Sequence, residues 1–597
     1  MWLDRAYAEK LDASDPLAGY RERFLLEDPA LIYLNGNSLG ALPLATLARL
    51  ETVLREEWGT ALARSWDHWV DLPARAGDVV GELIGAAPGQ VIVTDNTTVN
   101  LYKLAAAALD ARPGRRVIVT DHDNFPTDRY VMAGLAAQRG AELRMLATDI
   151  DDGLSPDLVR AAVDEDTALV SLSHVAYRSG ALADMAIITA IAHRAGALML
   201  WDLCHSAGAV PVDLDGNSLG MLPLTTADRI ADVVRREWGA GLVRSWSHWI
   251  GLPSRAGDLL GSYLLGAAAG QVVVCDSTTV NLYKLARAAL GARAGRSVIV
   301  TDDDNFPTDR YVLAGIAAER GAELRLIHTD LDSGLTADAV RSAVDSSTAL
   351  VSLSHVAYRS GALADMAELT GIVHDVGALV LWDLCHSAGS VPVELDISGA
   401  DLAVGCTYKY LNAGPGAPAF LYVSRRLQTA LRQPIQGWFG QRAQFEMGPS
   451  YDPVPGIGRF LTGTPDIAGT AAVEEGARLL AEAGIDRLRE KGIKLTEYLI
   501  ALADAWLAPL GCTVASPRDP ARRGSHVCLC HPEAWRLGQA LIHAGIVGDY
   551  RTPDRLRLGP VPITTRYTDV WDAMDATRRI LTNREFEDFS AEPAQVT

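Results

Sequence analysis

The sequence is poor in lysine: Lys10, Lys103, Lys284, Lys409, Lys491 and Lys494 are all it has, and arginine supplies the remaining positive charge. Acidic residues outnumber basic ones, 74 to 54, for a formal net charge of -20. No basic run is visible, which argues against nucleic acid or an anionic membrane surface as partner, because phosphate binding needs a clustered positive field. No apolar stretch reaches the ~18 residues that a membrane span needs. The opening "MWLDRAYAEKLDASDP" mixes charged with apolar residues and lacks the features of a secretory signal, so a cytoplasmic location is expected. Seven cysteines in 597 residues suggest no disulfide framework. Only "HVCLCH" (His526, Cys528, Cys530, His531) groups metal-type ligands, and strand alternation reads Cys528 and Cys530 as small buried residues, so no metal is expected.

What the chain does have is a copy of part of itself. Residues 35 to 214 recur as 215 to 395: "NGNSLGALPL" answers "DGNSLGMLPL", "DNFPTDRYVMAG" answers "DNFPTDRYVLAG", and "WDLCHSAG" stands at both Trp201 and Trp382. A unit this long is too large for a solenoid repeat and reads as an internal tandem duplication of part of a domain. Without one copy, the remainder has the size of a two-domain enzyme.

In each copy, short β-branched runs alternate with helical stretches, which predicts a mostly parallel sheet flanked by helices. Ligands of such sheets sit at the carboxyl ends of the strands. The polar punctuation falls there: "DSTT", "NFPTD", "YRSG", "DLCH" and "TYK". Lys409 follows the apolar strand "ADLAVG" and offers a primary amine, which a Schiff base with pyridoxal phosphate requires and arginine cannot supply. Asp383 ends the apolar strand "GALVLWD", where a carboxylate needs a cationic partner such as a pyridinium nitrogen. Ser277, Thr278 and Thr279 open a helix whose free N–H groups suit an anion. Phe306 could stack on a flat ring or pack ordinarily, and Trp438 in "GWFG" raises the same choice. Lys103 and Lys284 lie inside "NLYKL" helices and read as structural.

Taken together, "GNSLG", "TTVNLYK", "NFPTDRY", "WDLCHSAG", "TYKYLNAGPG", "GWFG" and "RLRLGPVP" resemble the kynureninases, α/β enzymes of the fold type I pyridoxal-phosphate class with a smaller α+β C-terminal domain. The resemblance implies pyridoxal 5'-phosphate as cofactor and an amino acid as substrate. The reaction would be hydrolysis of L-kynurenine or 3-hydroxykynurenine to L-alanine and anthranilate or 3-hydroxyanthranilate. Lys409 would be the Schiff-base lysine, Asp383 the partner of the ring nitrogen, and Tyr408 a proton donor or phosphate ligand. Trp438, Thr278 and Thr279 would hold the phosphate. Phe306, Pro307, Thr308, Asp309, His386 and Thr464 would complete the cofactor shell, and Arg557 would take the substrate carboxylate. Family members are homodimers with sites near the subunit interface, so the extra copy could take a partner-like position or obstruct pairing.

The expected organisation is an N-terminal arm at 1–34, a first partial copy at 35–214, a complete cofactor-binding domain at 215–480 and a small domain at 481–597. The first copy carries Asp202 and His205 but has no lysine strand, so the second copy is expected to build the site by its direct connection to Lys409. Two other readings stay open here. One is a different lyase of this fold, such as a cysteine desulfurase; the other is a catalytically silent duplication product that acts as a binding protein.

Overall fold

The computed structural model of the chain describes residues 5–15, 18–25, 42–65, 69–84, 86, 89–207, 229–446 and 448–592. Both "GNSLG" motifs and the junction between the copies lie outside these residues.

Strands β1 (Val117–Asp121), β2 (Glu142–Leu146), β3 (Thr167–Ser173) and β4 (Leu198–Asp202) form a parallel sheet in the order β2-β1-β3-β4. A seven-stranded sheet follows, built from β5 (Val272–Val274), β6 (Val298–Asp302), β7 (Glu323–Ile327), β8 (Thr348–Ser354), β9 (Leu379–Asp383), β10 (Leu402–Gly405) and β11 (Phe420–Val423). Its order is β5-β11-β10-β9-β8-β6-β7, with β11 antiparallel to both of its neighbours. The strands β6 to β9 repeat β1 to β4 residue for residue: Val117 pairs with Glu142 as Val298 pairs with Glu323. Likewise Ser173 is opposite Asp202 as Ser354 is opposite Asp383.

These runs are apolar on both faces because both faces are covered. In β9, Val380 and Trp382 enter one core while Leu379 and Leu381 enter the other. The matching β4 is only half-buried before Asp202, and no strand covers its outer edge among the described residues. Burial of the same sequence therefore differs with its neighbours.

Helix starts follow local rules in both copies. Asn96 caps α1 (Thr97–Asp110) by accepting from Val99 N at 3.1 Å, and Ser277 caps α3 (Thr278–Ala292) through Val280 N at 3.4 Å. Helices α2 (Pro126–Arg139) and α4 (Pro307–Arg320) open on a proline directly after a phenylalanine, where a missing N–H costs nothing.

The third body is an antiparallel sheet, β12 (Thr513–Val514), β13 (Val527–Cys530), β14 (Asp549–Arg551) and β15 (Arg555–Leu558), in the order β12-β13-β15-β14. Leu529, Leu556, Leu541 and Met574 are at the centre of its own core. It rests on the loop after β8: Ser516 Oγ donates to Ser360 O at 2.5 Å, and Leu363 N to Arg522 O at 2.9 Å. The equivalent loop of the first repeat, Arg178 to Gly180, stays exposed.

Candidate active site

The carboxyl ends of β6, β8, β9 and β10 meet where the strand order changes direction, the usual ligand crevice of such a sheet. Val404 of β10 is in register with Asp383 of β9, and four residues beyond β10 the chain reaches Lys409. Lys409 Nζ is 2.9 Å from His386 Nε2, 5.8 Å from the centre of the Phe306 ring and 6.0 Å from that of Tyr408. Asp383 accepts from Cys385 N at 2.8 Å, and Ser354 Oγ is 3.5 Å away and bonds Asn305 Oδ1 at 2.8 Å. The carboxylate is thus fixed by its own turn and by the neighbouring strand end.

Asp309, one turn into α4, is 3% exposed and its Oδ2 has no hydrogen-bond partner. Burial and the nearby Asp383 push its carboxyl well above the usual range, against the pull of Lys409. Burial and the positive charges of Lys409 and Arg557 hold His386 well below the ordinary histidine value, so the imidazole is neutral and accepts from the lysine. Negative charge at Cys406, then burial and Asp383, pushes the Tyr408 phenol up and keeps it protonated.

The small domain closes the cluster with Arg557. Its Nε and Nη2 bond Asp549 at 2.8 and 2.5 Å, and its Nη1 bonds Tyr358 O at 2.6 Å. A guanidinium has five N–H donors, so these three bonds leave one free on each Nη. The Phe306 ring meets Tyr358 edge-on at 5.3 Å, and Pro307 and Thr308 open the helix that carries it.

Other expected residues lie further along the seam between the repeats. Trp438 packs with Phe439 at 4.7 Å and Trp246 at 6.5 Å. Thr278 is half-buried at the start of α3, and Thr279 and Thr464 are exposed. Next to Thr464, Gly463 fits tightly against the first repeat: a Cβ there would stand 2.7 Å from Thr98 Oγ1 and 2.8 Å from Asn96 Oδ1.

His526 enters the sequence reading only within "HVCLCH", and Tyr410 of "TYKYLNAGPG" is given no role there. His526 meets His386 edge-on at 5.9 Å, and burial with Arg557 and Lys409 pushes it down to about 3. Burial raises Tyr410 to about 12. His526 arrives through a contact remote in sequence, whereas Tyr410 directly follows Lys409. The "HVCLCH" residues diverge: Cys528 Sγ donates to Arg359 O at 2.5 Å, Cys530 to Asp554 at 3.1 Å, and His531 accepts from Glu533 N.

The first repeat keeps the same geometry without the amine. Asp202 accepts from Cys204 N at 2.9 Å, and Phe125 meets Tyr177 at 5.3 Å as Phe306 meets Tyr358. Asp128 beside Asp202 is buried and pushed well above the carboxylate range. Lys103 and Lys284 are both engaged elsewhere, in 2.6 Å pairs with Asp95 and Asp276.

Residues 488–577 match a family model described as the kynureninase C-terminal domain. Residues 62–222 match aminotransferase class-V, and 263–397 match the DegT/DnrJ/EryC1/StrS aminotransferase family. The chain is 46% identical over 376 residues to a kynureninase of Pseudomonas fluorescens, an alignment covering 62% of this chain and 88% of that one. A kynureninase of Burkholderia pseudomallei (strain 1106a) gives the same figures. Among solved structures, a cysteine desulfurase of Thermococcus onnurineus NA1 is similar in fold, with a TM-score of 0.54 at 19% identity over 61% of this chain and 92% of that one. The cystine C-S lyase C-DES in complex with cysteine persulfide aligns with a TM-score of 0.54 at 19% identity, over 60% and 94%.

Proposed function

The chain belongs to the kynureninase family, and from that premise we propose that the cluster around Lys409 is the site where it hydrolyses L-kynurenine or 3-hydroxykynurenine. The products are L-alanine and anthranilate or its 3-hydroxy form. The observation that carries the reading is a primary amine beside an aromatic face, with two buried carboxyls next to it. The residues fit pyridoxal 5'-phosphate: the unpartnered Oδ2 of Asp309 next to Asp383 suits a cationic ring nitrogen, Phe306 a flat ring, and the start of α3 a phosphate.

When bound, the cofactor supplies an aldehyde for an amine and a ring that takes up electrons as the β,γ carbon bond breaks. Lys409 would anchor it and then move protons as acid or base. Neutral His386 holds the amine in place through Nε2. Asp383, with Asp309, would stabilise positive charge on the ring. Tyr408 keeps its proton and would deliver it to the alanine carbon. Thr278, Thr279 and Trp438 would hold the phosphate, and Thr464 would belong to the rest of the cofactor shell. The two free N–H groups of Arg557 would receive the substrate carboxylate.

The domain reading forms part of this proposal: 215–480 as the complete cofactor domain, 481–597 as the small domain, and 35–214 as a duplicated partial copy with no counterpart of Lys409. A small amino acid is the partner, and a cytoplasmic location is proposed, in keeping with the free state of all seven cysteines. No helix among the described residues is long and apolar enough to cross a membrane. A homodimer is the assembly expected from the family, and in this chain the first repeat packs against the second.

Purified protein given pyridoxal phosphate should show the cofactor's visible absorbance and release fluorescent anthranilate, and Lys409→Ala should lose both. Anthranilate release by the variant would reject the assignment. A desulfurase would need an accessible low-pKa thiol. Burial instead raises Cys512 and Cys528 to about 12. Burial also acts to raise Cys406, although Cys385 and Lys409 outweigh it and lower the thiol; the residue is 2% exposed. Sulfide release from cysteine would favour that reading, and colourless protein would favour a silent duplication product.

A further inference from the structure

The two repeats meet through equivalent residues. Helix α1 packs on α3 with Val99 beside Val280 and Tyr102 beside Tyr283 in one apolar cluster, and the two tyrosine hydroxyls are 2.9 Å apart. A second cluster joins Leu50, Leu54 and Trp58 to their own counterparts Ile230, Val234 and Trp238. Contact between a residue and its own copy is what a two-fold axis produces between identical subunits. The arrangement occurs twice, on separate helix pairs, within a single chain.

Polar contacts close the same seam. Arg235 pairs with Glu51 at 2.8 Å, and Asn96 Nδ2 donates to Asp276 Oδ1 at 2.9 Å. The segment before Thr464 lies across it: Tyr130 OH donates to Gly448 O at 2.5 Å, and Gly463 covers the start of α1. Thr98 is consequently 3% exposed, whereas its counterpart Thr279 is open.

We infer that the first repeat is a built-in partner: its helices fill the self-complementary face of the second repeat, and the protein is a monomer whose face is closed to another chain. Tethering favours this occupant, because a covalently linked partner acts at an effective concentration of order millimolar, above any working concentration of a second chain.

The test uses the full chain. Sedimentation of the unaltered protein should give the mass of one chain, 63.9 kDa, over a wide concentration range. Glu51 and Arg235 are 43% and 52% exposed, so the double variant Glu51→Cys, Arg235→Cys should fold normally. Mixed light and heavy isotope preparations, equilibrated and treated with a short bismaleimide, should yield cross-linked peptides 51 and 235 of one isotope only, resolved by mass from adducts at exposed Cys204. A two-chain mass, or light–heavy peptide pairs, would overturn the inference.

Discussion

One ion pair occurs twice in this chain with the same geometry and opposite surroundings, which makes it a measurement of burial. Lys284 Nζ is 2.6 Å from Asp276 Oδ2, with both side chains at most 2% exposed, and also donates to Phe460 O at 2.8 Å. Lys103 Nζ is 2.6 Å from Asp95 Oδ2, but the lysine is 47% exposed. Both aspartates sit at positive φ just before their helix caps, 48° and 39°, so each pair holds a similarly strained turn. Lys284→Met keeps the volume and leaves the Asp276 carboxylate buried without its cation, a loss of about 3–5 kcal/mol. Lys103→Met leaves Asp95 with water and should cost about 0–1 kcal/mol. Hydrogen exchange at the amides of α1 and α3 would read the two losses locally, since a chain with several cores need not unfold in one step. Burial pushes the Lys284 amine down, but Asp276 and Cys275 outweigh it and raise it above the ordinary lysine value. Its stabilisation is therefore full at neutral pH and is lost only as pH rises through that raised value. Equal losses in the two variants would refute the argument.

Asp383→Asn should lower anthranilate release by about 10²-fold or more, on the scale of a lost acid–base group, while Asp202→Asn should leave it unchanged; the reverse pattern would move the site to the first repeat. His526 is held neutral with its value at about 3 against 6.5 in the unfolded chain. Its contribution is therefore present above pH 6.5 and lost as pH falls toward 3. Denaturation midpoints of His526→Leu, followed against pH, should show a flatter acid limb than the parent. Tyr408→Phe should reduce kcat with cofactor affinity intact if the phenol delivers a proton. A weakened affinity for added pyridoxal phosphate at unchanged kcat would make it a phosphate ligand instead.

The local parts of this molecule could be read directly from the sequence. Proline after Phe306 starts a helix, Ser277 caps one, and the alternating apolar runs become strands, because each depends on a few consecutive residues. The position of Lys409 after a buried strand and Asp383 at the end of another was legible for the same reason. His526 and the Arg557–Asp549 pair were not, because they reach the cluster from the small domain through contacts remote in sequence, as in the bond from Arg557 to Tyr358. Nor could the sequence foretell that Thr98 would be covered and Thr279 open, since the two helix starts read almost alike.

The repeat separates what a sequence encodes by itself from what its neighbours add. Strands β1 to β4 and β6 to β9 adopt one register and place their Asp and Phe in one geometry, so that much needs no partner. Only β9 has β10 beside it, and only the loop at Ser360 has the small domain on top. A carboxylate and an aromatic face are thus present at two places, whereas an amine and an arginine reach just one of them. A strand bearing a lysine, grafted after β4, would not suffice to restore a site there, because the Tyr177 loop would still lack the cover that brings Arg557 to Tyr358.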